Sequence, residues 1–322
     1  MGTGPRAVAL GGGHGLAASL SALRRVTGDL TAIVTVADDG GSSGRLRRDY
    51  GVLPPGDLRM ALAALCGDDE WGTTWSKVVQ HRFGGDRELA GHAVGNLLIV
   101  ALWDLLGDTV AGLDWVGRLL GTGGRVLPMA AVPLDIVAEV VGANPDRPEE
   151  ISTVRGQAEC ASTPGQVRSI TLLPPDPPAV PEAVRAVLDA EWVVLGPGSW
   201  FTSVLPHLLV PDLATALRET TGRRCVTLNL SPQTGETEGF SQETHLEVLA
   251  AHAPDLQVDA VLADPSSVDD PDRLSDVVKT LGGHLLMRQV SLGDGTPRHD
   301  PLRLAAAYRD LFAGVEGDVR AR

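Results

Sequence analysis

Residues 31–62 read TAIVTVADDGGSSGRLRRDYGVLPPGDLRMAL, and this stretch carries most of the information about the fold. It begins with an apolar, β-branched run, 31–37, which is typical of a buried strand. The run stops at Asp38 and Asp39, and a loop of glycines and serines follows. In open α/β sheets, ligands bind at the carboxyl ends of the strands. The pattern therefore predicts a polar ligand site directly after this strand.

The residues after the strand suit a phosphorylated ligand. Bare backbone amides and guanidinium groups bind oxyanions, whereas a carboxylate holds a sugar hydroxyl or a divalent cation. Gly40 and Gly41 permit a turn that lets the carboxylates of Asp38 and Asp39 face one ligand. Alternatively, one of the two carboxylates fixes the loop by accepting backbone N–H groups. Asp38 and Asp39 are the candidate catalytic residues, and either one is a candidate Mg²⁺ ligand. The candidate ligand-binding residues of this stretch are Asp38, Asp39, Gly41, Ser42, Ser43, Arg45, Asp57 and Arg59.

Two of these candidates fall at the start of a predicted helix, 58–65. Asp57 follows Pro54-Pro55-Gly56, so it is placed either to cap the helix or to contact a ligand. Arg59 lies in the first turn, where the helix dipole disfavours a cation, and its position there calls for an anion or a carboxylate nearby.

The amino-terminal segment repeats the arrangement of strand, glycine loop and helix. The apolar run 7–10 leads into Gly11–Gly15, and a segment with helical spacing follows. Such a loop lets the backbone approach a phosphate at a helix N-terminus. We therefore expect Gly12, Gly13, His14 and Gly15 to contact the ligand. No GxxxxGK[ST] is present, which excludes a P-loop NTPase.

Further polar candidates lie elsewhere in the chain. One, at residue 96, lies at the start of a predicted helix, and the others follow predicted strands in the second half of the chain. Asn96 opens an apolar helix, as its N-cap or as a ligand contact. Gly198, Ser199 and Thr202 belong to a second small-residue loop, which does not match the GxSxG of hydrolases. This loop suits a phosphate or a sugar, because Ser199, Thr202 and Ser203 are able to donate hydroxyls. Asp300-Pro301 predicts the start of a C-terminal helix, with Asp300 as its N-cap. Asn229 and the segment 233–237 suit hydrogen bonds to a sugar or base; the candidates there are Asn229, Gln233, Thr234, Glu236 and Thr237.

The order of these segments predicts an α/β fold, a three-layer Rossmann-like parallel sheet, formed by residues 1–322 as a single domain. Between about 125 and 173 the pattern changes to short β-rich segments, 126–132, 134–141, 151–155 and 167–172, separated by turn residues. We interpret them as a small antiparallel β element inserted into the domain.

Composition limits the possible partners. The net charge of −14 argues against a nucleic-acid partner, so an anion would have to bind at a local basic cluster such as Arg45–Arg59. The three cysteines are widely spaced, which favours reduced thiols in the cytoplasm. We see no signal peptide and no apolar run long enough for membrane insertion.

Several segments together resemble the gluconeogenesis factor family within the CofD-like superfamily, over residues 6–312. These segments are GGGHG (11–15), VADDGGSSGRLR (36–47), GHAVGNLLIVAL (91–102), GPGSWFTS (196–203), NLSPQTGETEGF (229–240) and RHDPLRLA (298–305). The resemblance implies a homodimer that binds a UDP-sugar, UDP-N-acetylglucosamine in particular, at the strand ends. It also implies a role in cell shape and peptidoglycan assembly during growth on gluconeogenic carbon sources, with an unknown regulatory protein partner. His14 and Met60 depart from the family pattern, where many relatives have Thr and Asn.

Three functional hypotheses follow. The first is a regulatory protein that senses a UDP-sugar. The second is a Mg²⁺-dependent transferase acting on a nucleoside-diphosphate conjugate, as the superfamily's 2-phospho-lactate transferases do. The third, an NAD-dependent enzyme, rests on the match of Gly13-x-Gly15-x-x-Ala18 to the dinucleotide fingerprint, and nothing that resembles a hydride-transfer site accompanies it. Sequence alone does not separate sensor from transferase, since both need the same diphosphate site.

Overall fold

The computed structural model describes residues 4–144, 146–147, 149–233 and 235–314. The strands of the described ranges, in chain order, are β1 (Ala7–Gly11), β2 (Leu30–Val34), β3 (Arg125–Pro128), β4 (Asp135–Val141), β5 (Ile151–Arg155), β6 (Gln166–Leu173), β7 (Trp192–Leu195), β8 (Arg223–Thr227), β9 (Ala260–Ala263) and β10 (His284–Met287). The α-helices are α1 (Gly13–Leu23), α2 (Gly41–Tyr50), α3 (Gly56–Ala64), α4 (Glu70–Gln80), α5 (Val94–Leu106), α6 (Thr109–Leu120), α7 (Gln157–Ser162), α8 (Pro181–Asp189), α9 (Pro211–Glu219), α10 (Gln242–His252), α11 (Pro271–Thr280) and α12 (Pro301–Phe312).

Seven strands form one parallel sheet in the order β10-β9-β8-β7-β1-β2-β3. In register, Leu10 of β1 lies beside Ile33 of β2 on one side and Leu195 of β7 on the other. Every residue of β1 is buried, as expected for a strand covered on both faces. The predicted α/β fold with a parallel sheet is confirmed.

The direction of the chain reverses between β1 and β7. The connection from β1 to β2 moves towards one edge, and the connections from β7 through β8 and β9 to β10 move towards the other. Because parallel crossovers are right-handed, these two series place their helices on opposite faces of the sheet, which gives three layers. The contacts agree, since α1 packs on α3 and α12 while α9 packs on α8. The carboxyl ends of β1 and β7 therefore form the topological switch point.

The inserted element is smaller than predicted. A second, antiparallel sheet has the order β5-β4-β6, and α7 connects β5 to β6. The first predicted segment, 126–132, does not belong to it, because β3 pairs in parallel with β2 at the edge of the main sheet. The antiparallel element thus occupies 135–173 rather than 125–173. A short apolar strand carries no local signal of which sheet it joins, which is why the boundary was wrong.

Local sequence signals account for several helix ends. Asp300 accepts the N–H groups of Leu302 and Arg303, which confirms the predicted cap of α12. The apolar helix α5 ends at Gly107, whose φ of +65° suits glycine. In the described ranges, every helix is too short or too polar to cross a lipid bilayer.

Candidate functional site

Two glycine loops meet at the switch point, one after β1 and one after β7. A Cβ atom on Gly15 would lie 2.2 Å from the carbonyl oxygen of Pro197 and 2.4 Å from the Cα of Gly198. Because both contacts are with backbone, no side-chain movement relieves them. Gly198 itself has a φ of +145°, which also favours glycine. Glycine at both positions therefore allows the two loops to pack together.

Asn229 fixes the second loop. Its Oδ1 accepts the N–H of Gly198 at 2.9 Å, and its Nδ2 donates to the carbonyl of the same residue at 2.8 Å. This residue follows β8, so the amide connects the ends of two neighbouring strands. Asn229, which the sequence predicted to contact a ligand, thus holds the second glycine loop in place. It also borders a cavity at the switch point.

Three adjoining cavities surround the glycine loops, and His14 lines all of them. The inner hollow, about 300 Å³, is lined by Gly12, Gly13, His14, Gly15, Asp57, Gln157, Ala161, Gly198, Ser199, Thr202, Ser203, Gln233 and Glu236. The outer hollow, about 450 Å³, lies between the loops and the start of α12 and includes Asn229, Arg298 and His299. The basic hollow, about 620 Å³, lies between α1, α3 and α4 and includes Arg24, Arg59, Lys77 and Arg82.

The inner hollow is lined by buried polar atoms that have no hydrogen-bond partner among the described residues. These atoms are Asp57 Oδ2, Gln157 Oε1 and Gln233 Oε1. An unsatisfied buried polar group costs about 1–3 kcal/mol, and most such groups in folded proteins are paired. Three of them around one cavity indicate a place where a polar ligand supplies the missing hydrogen bonds.

Asp57 is a carboxyl group of the inner hollow whose pKa is strongly shifted. Its pKa is raised to about 7, mainly by burial and then by the negative charge of Asp38, while the N–H of Gly13 opposes the shift. The predicted N-cap role is wrong, because α3 already begins at Gly56 and Pro55 occupies the cap position. Asp57 instead lies inside the first turn, where a half-protonated carboxyl near neutral pH suits proton transfer or cation binding.

Asp38 and Asp39 point in different directions. Asp38 Oδ1 accepts the N–H of Gly40 at 3.0 Å, and its Oδ2 lies beside Gly56, next to Asp57. Asp39 Oδ1 accepts the N–H of Ala158 at 3.0 Å and so binds the start of α7. A Cβ on Gly156 would lie 2.2 Å from Asp39 Oδ2, and the φ of +103° at this position also favours glycine. Of the two carboxylates, Asp39 has the loop-fixing role and Asp38 approaches the site.

The arginines that follow do not form the predicted common anion site. Arg45 donates to the carbonyl of Ala90 at 2.7 Å, and Arg47 pairs with Asp135 at 2.5 Å. Each guanidinium thus holds a different neighbouring segment. Among the arginines of residues 45–59, Arg59 alone lines one of the three hollows, and its Nε donates to Asn96 Oδ1 at 3.0 Å.

Asn96 is neither an N-cap nor a wall of these hollows. The cap position of α5 is Ala93, and Asn96 Nδ2 donates to Ser42 Oγ at 3.0 Å. Ser42 Oγ also bonds His92 Nδ1 at 3.0 Å, so a buried network joins α2, α3 and α5. The predicted ligand residues that border none of the three hollows are Asp38, Asp39, Gly41, Ser42, Ser43, Arg45 and Asn96.

Glu236 binds the loop that the sequence assigned to a phosphate or sugar. Its Oε1 accepts the N–H groups of Phe201 at 2.7 Å and Thr202 at 2.9 Å, and its Oε2 accepts the hydroxyl of Ser199. Burial raises the pKa of this carboxyl, although these hydrogen bonds oppose the shift. The loop after β7 is therefore anchored by an internal carboxylate. Thr237 likewise serves its own turn by accepting the N–H of Gln233, and Thr234 lies outside the described residues.

Sequence reasoning missed three residues that border the site. Gln157 comes from the inserted element, to which no chemistry was assigned, and no local signal marks it. Arg298 and His299 border the outer hollow and directly precede the cap of α12. Burial lowers the pKa of His299 to about 4, so its imidazole is neutral. Arg298 and His299 lie directly before the predicted start of α12 at Asp300, and this position was the sequence signal that could have revealed them.

The described residues contain no group of three or more His, Cys, Asp or Glu side chains that could hold a metal ion. Asp38 and Asp57 nevertheless supply two neighbouring carboxylates. Mg²⁺ prefers oxygen ligands, and proteins often bind it through one or two carboxylates together with substrate phosphates and water. The donor set thus fits Mg²⁺ that arrives with a phosphorylated ligand, and it does not fit a site built from protein side chains alone.

Comparisons with known proteins agree with this architecture. The family model described as 2-phospho-L-lactate transferase CofD matches residues 7–279. A Mycobacterium leprae protein named "Putative gluconeogenesis factor" is 55% identical over 317 residues, which cover 97% of this chain and 88% of the relative. The "Gluconeogenesis factor" of Bacillus subtilis is 31% identical over 328 residues, covering 97% of this chain and 99% of that protein. The crystal structure of a UPF0052 family member from Bacillus halodurans superimposes with a TM-score of 0.83 at 31% identity, covering 95% of this chain and 99% of that one.

Proposed function

Since the chain belongs to the gluconeogenesis factor family, with a CofD-like domain, we propose that it is a regulatory protein that binds a UDP-sugar, UDP-N-acetylglucosamine in particular. In this proposal it acts in the cytoplasm as a homodimer and links carbon metabolism to cell shape and peptidoglycan assembly. An as yet unidentified protein partner reads out whether the ligand is bound.

One observation carries the proposal: three unpartnered buried polar atoms line a cavity beside two glycine loops at the topological switch point. The first glycine loop begins α1, whose N-terminal N–H groups and dipole favour a diphosphate. Gln157 and Gln233 offer amides to sugar or ribose hydroxyls, since an amide both donates and accepts. The adjoining outer hollow provides further volume, with Arg298 at its wall.

Binding without turnover is the first choice because no activated nucleophile lines the inner hollow. Ser199 lines this hollow, yet its hydroxyl donates to the buried carboxylate of Glu236. That carboxylate also accepts two backbone N–H groups, so it anchors the loop and is poorly placed as a base towards a ligand. The second glycine loop is therefore held in one position and forms a fixed side of the inner hollow.

Isothermal titration with UDP-N-acetylglucosamine tests the proposal, with UDP, UDP-glucose and a guanosine diphosphate conjugate as comparison ligands. We expect saturable heat with the UDP-sugar and weaker binding in Gln157→Ala and Gln233→Ala. The absence of heat at millimolar UDP-sugar contradicts the proposal.

A second candidate function is a Mg²⁺-dependent transferase, and the Asp38–Asp57 pair favours it. The carboxylate form of Asp57, whose pKa is near 7, is able to take a proton from an acceptor hydroxyl, and Asp38 would help to hold Mg²⁺. When bound, Mg²⁺ would stabilise the negative charge of the diphosphate in the transition state. Turnover of a diphosphate conjugate that requires Mg²⁺ and is lost in Asp38→Asn and Asp57→Asn would establish this function; an inactive wild type with every conjugate tested counts against it.

A further inference from the structure

The basic hollow has a charge opposite to that of the whole chain. The protein has a net charge of −14, yet four cationic side chains line this cavity, namely Arg24, Arg59, Lys77 and Arg82. The acidic residue among its lining side chains, Asp68, is engaged by two arginines, since it pairs with Arg24 at 2.5 Å and with Arg25 at 3.0 Å. Its carboxylate is therefore already neutralised.

Arg59 is a buried cation, and no carboxylate of the described residues is bonded to it. Its side chain is among the buried polar groups, at 4% exposure, and it donates to the neutral amides of Asn96 and Gln80. Charged side chains are rarely buried unless they are paired. Burial, and after it the positive charge of Arg82, lowers the pKa of Arg59 to about 10, while Asp57 and Asp38 oppose the shift. The guanidinium therefore faces a like charge across the hollow.

The other two cations also lack acidic partners. Neither Lys77 nor Arg82 forms an ion pair with any described residue. Small side chains, Ala17, Ser21 and Ala63, form part of the wall and leave the space of about 620 Å³ open. A cavity of this size accommodates a small metabolite.

We propose that the basic hollow is a second ligand site, which binds the phosphate group of a small phosphate ester, or inorganic phosphate, between Arg59, Lys77 and Arg82. A phosphate dianion accepts several hydrogen bonds at once and offsets the repulsion between the cations. The site is separate from the inner hollow, although His14 forms a wall of both. The sugar of a UDP-sugar is uncharged and leaves the basic hollow free. A UDP-sugar and a phosphate ligand are therefore able to bind at the same time.

The test is a titration of the full chain with inorganic phosphate and, separately, with glycerol 3-phosphate, at constant ionic strength. The variant is Lys77→Gln/Arg82→Gln, because both side chains are exposed and their replacement leaves the core intact. A hydrogen bond to a charged group contributes about 1.5–3 kcal/mol, so we expect binding at least about tenfold weaker in this double variant. Tighter binding of glycerol 3-phosphate than of phosphate identifies an ester as the ligand, and equal affinities identify free phosphate.

The matched control is Arg273→Gln/Lys279→Gln, which removes the same two charges from the exposed face of α11. We expect this control to bind phosphate as the wild type does, and the Lys77/Arg82 variant to bind UDP-N-acetylglucosamine as the wild type does. The inference is overturned if the two double variants bind phosphate alike, or if the Lys77/Arg82 variant loses phosphate and UDP-sugar binding in parallel. A wild type that binds phosphate at this site but no UDP-sugar contradicts the proposed function alone.

Discussion

At the scale of single residues, the site depends on a few groups whose environment changes their chemistry. Asp57 is the main example. The sequence marks it as an acidic residue after a proline-rich turn, but its raised pKa comes from burial and from Asp38, which lies 19 positions earlier in the chain. Neither cause is a property of the local sequence.

The raised pKa of Asp57 makes the stability of the free protein depend on pH. Between about pH 4 and pH 7 the unfolded chain releases this proton while the folded protein retains it, so folding stability falls as the pH rises and then levels off. We expect Asp57→Asn to remove this loss of folding stability, which amounts to at most about 4 kcal/mol. The variant should therefore be more stable than the wild type at pH 8 and similar to it in stability at pH 4. Chemical denaturation at both pH values measures it.

The exposed carboxylate of Asp86 provides the control, and Asp86→Asn should follow the wild-type pH profile. A parallel pH profile for Asp57→Asn and the wild type would mean that Asp57 is ionised throughout this range.

Gly15 cannot be replaced freely, because the space around it is too small for a side chain. We expect Gly15→Ala to lower the free energy of unfolding by about 1–3 kcal/mol, because the new methyl group collides with the backbone of Pro197 and Gly198. It should also weaken ligand binding, since the two loops separate. Gly28→Ala is the matched control: its Cβ meets no atom within 4 Å, and its stability should remain close to that of the wild type. Equal stabilities of the two variants in urea would contradict the packing argument.

At the scale of elements, the inserted antiparallel sheet is attached to the site through one contact. Asp39, which follows β2, accepts the N–H of Ala158 at the start of α7, and α7 carries Gln157 into the inner hollow. The insertion is therefore part of the site's wall. Residues 38–39 and 157–158 lie too far apart in sequence for any motif to reveal their contact.

Removing that contact should loosen α7. We expect Asp39→Ala to accelerate amide hydrogen exchange across 156–162 and to weaken UDP-sugar binding roughly tenfold, because a charge-assisted hydrogen bond contributes about 1.5–3 kcal/mol. Glu159→Gln changes an exposed charge on the same helix and should leave both quantities unchanged. If exchange in α7 is the same in Asp39→Ala and the wild type, Asp39 does not hold the insertion.

At the scale of the whole molecule, the order of strands decides where the ligand binds. The chain leaves the centre of the sheet in opposite directions from β1 and from β7, and the ends of these two strands create the crevice. A ligand that contacts both glycine loops joins the two halves of the sheet.

Ligand binding should therefore stabilise both halves together. At a free UDP-sugar concentration of a hundred times the Kd, we expect the free energy of unfolding to rise by about 2.7 kcal/mol. Hydrogen exchange should slow in both 11–15 and 196–199. Protection restricted to one of the two loops would show that the ligand does not bridge the switch point, and exchange mapped by mass spectrometry distinguishes the two outcomes.

The sequence by itself determined the parallel α/β sheet, the strands that precede the glycine loops, and the glycine loops at the strand ends. These follow from local periodicity and from the conformational requirements of glycine and proline, which act over a few residues. The tertiary structure alone decided which side chains share a cavity. It separated Asp39, Ser42, Arg45 and Asn96 from the three hollows, turned Glu236 inward, brought Gln157 to the site, and placed β3 in the main sheet. Burial, charge–charge interactions and hydrogen bonding act between residues that are distant in the chain, so these outcomes depend on how the elements pack.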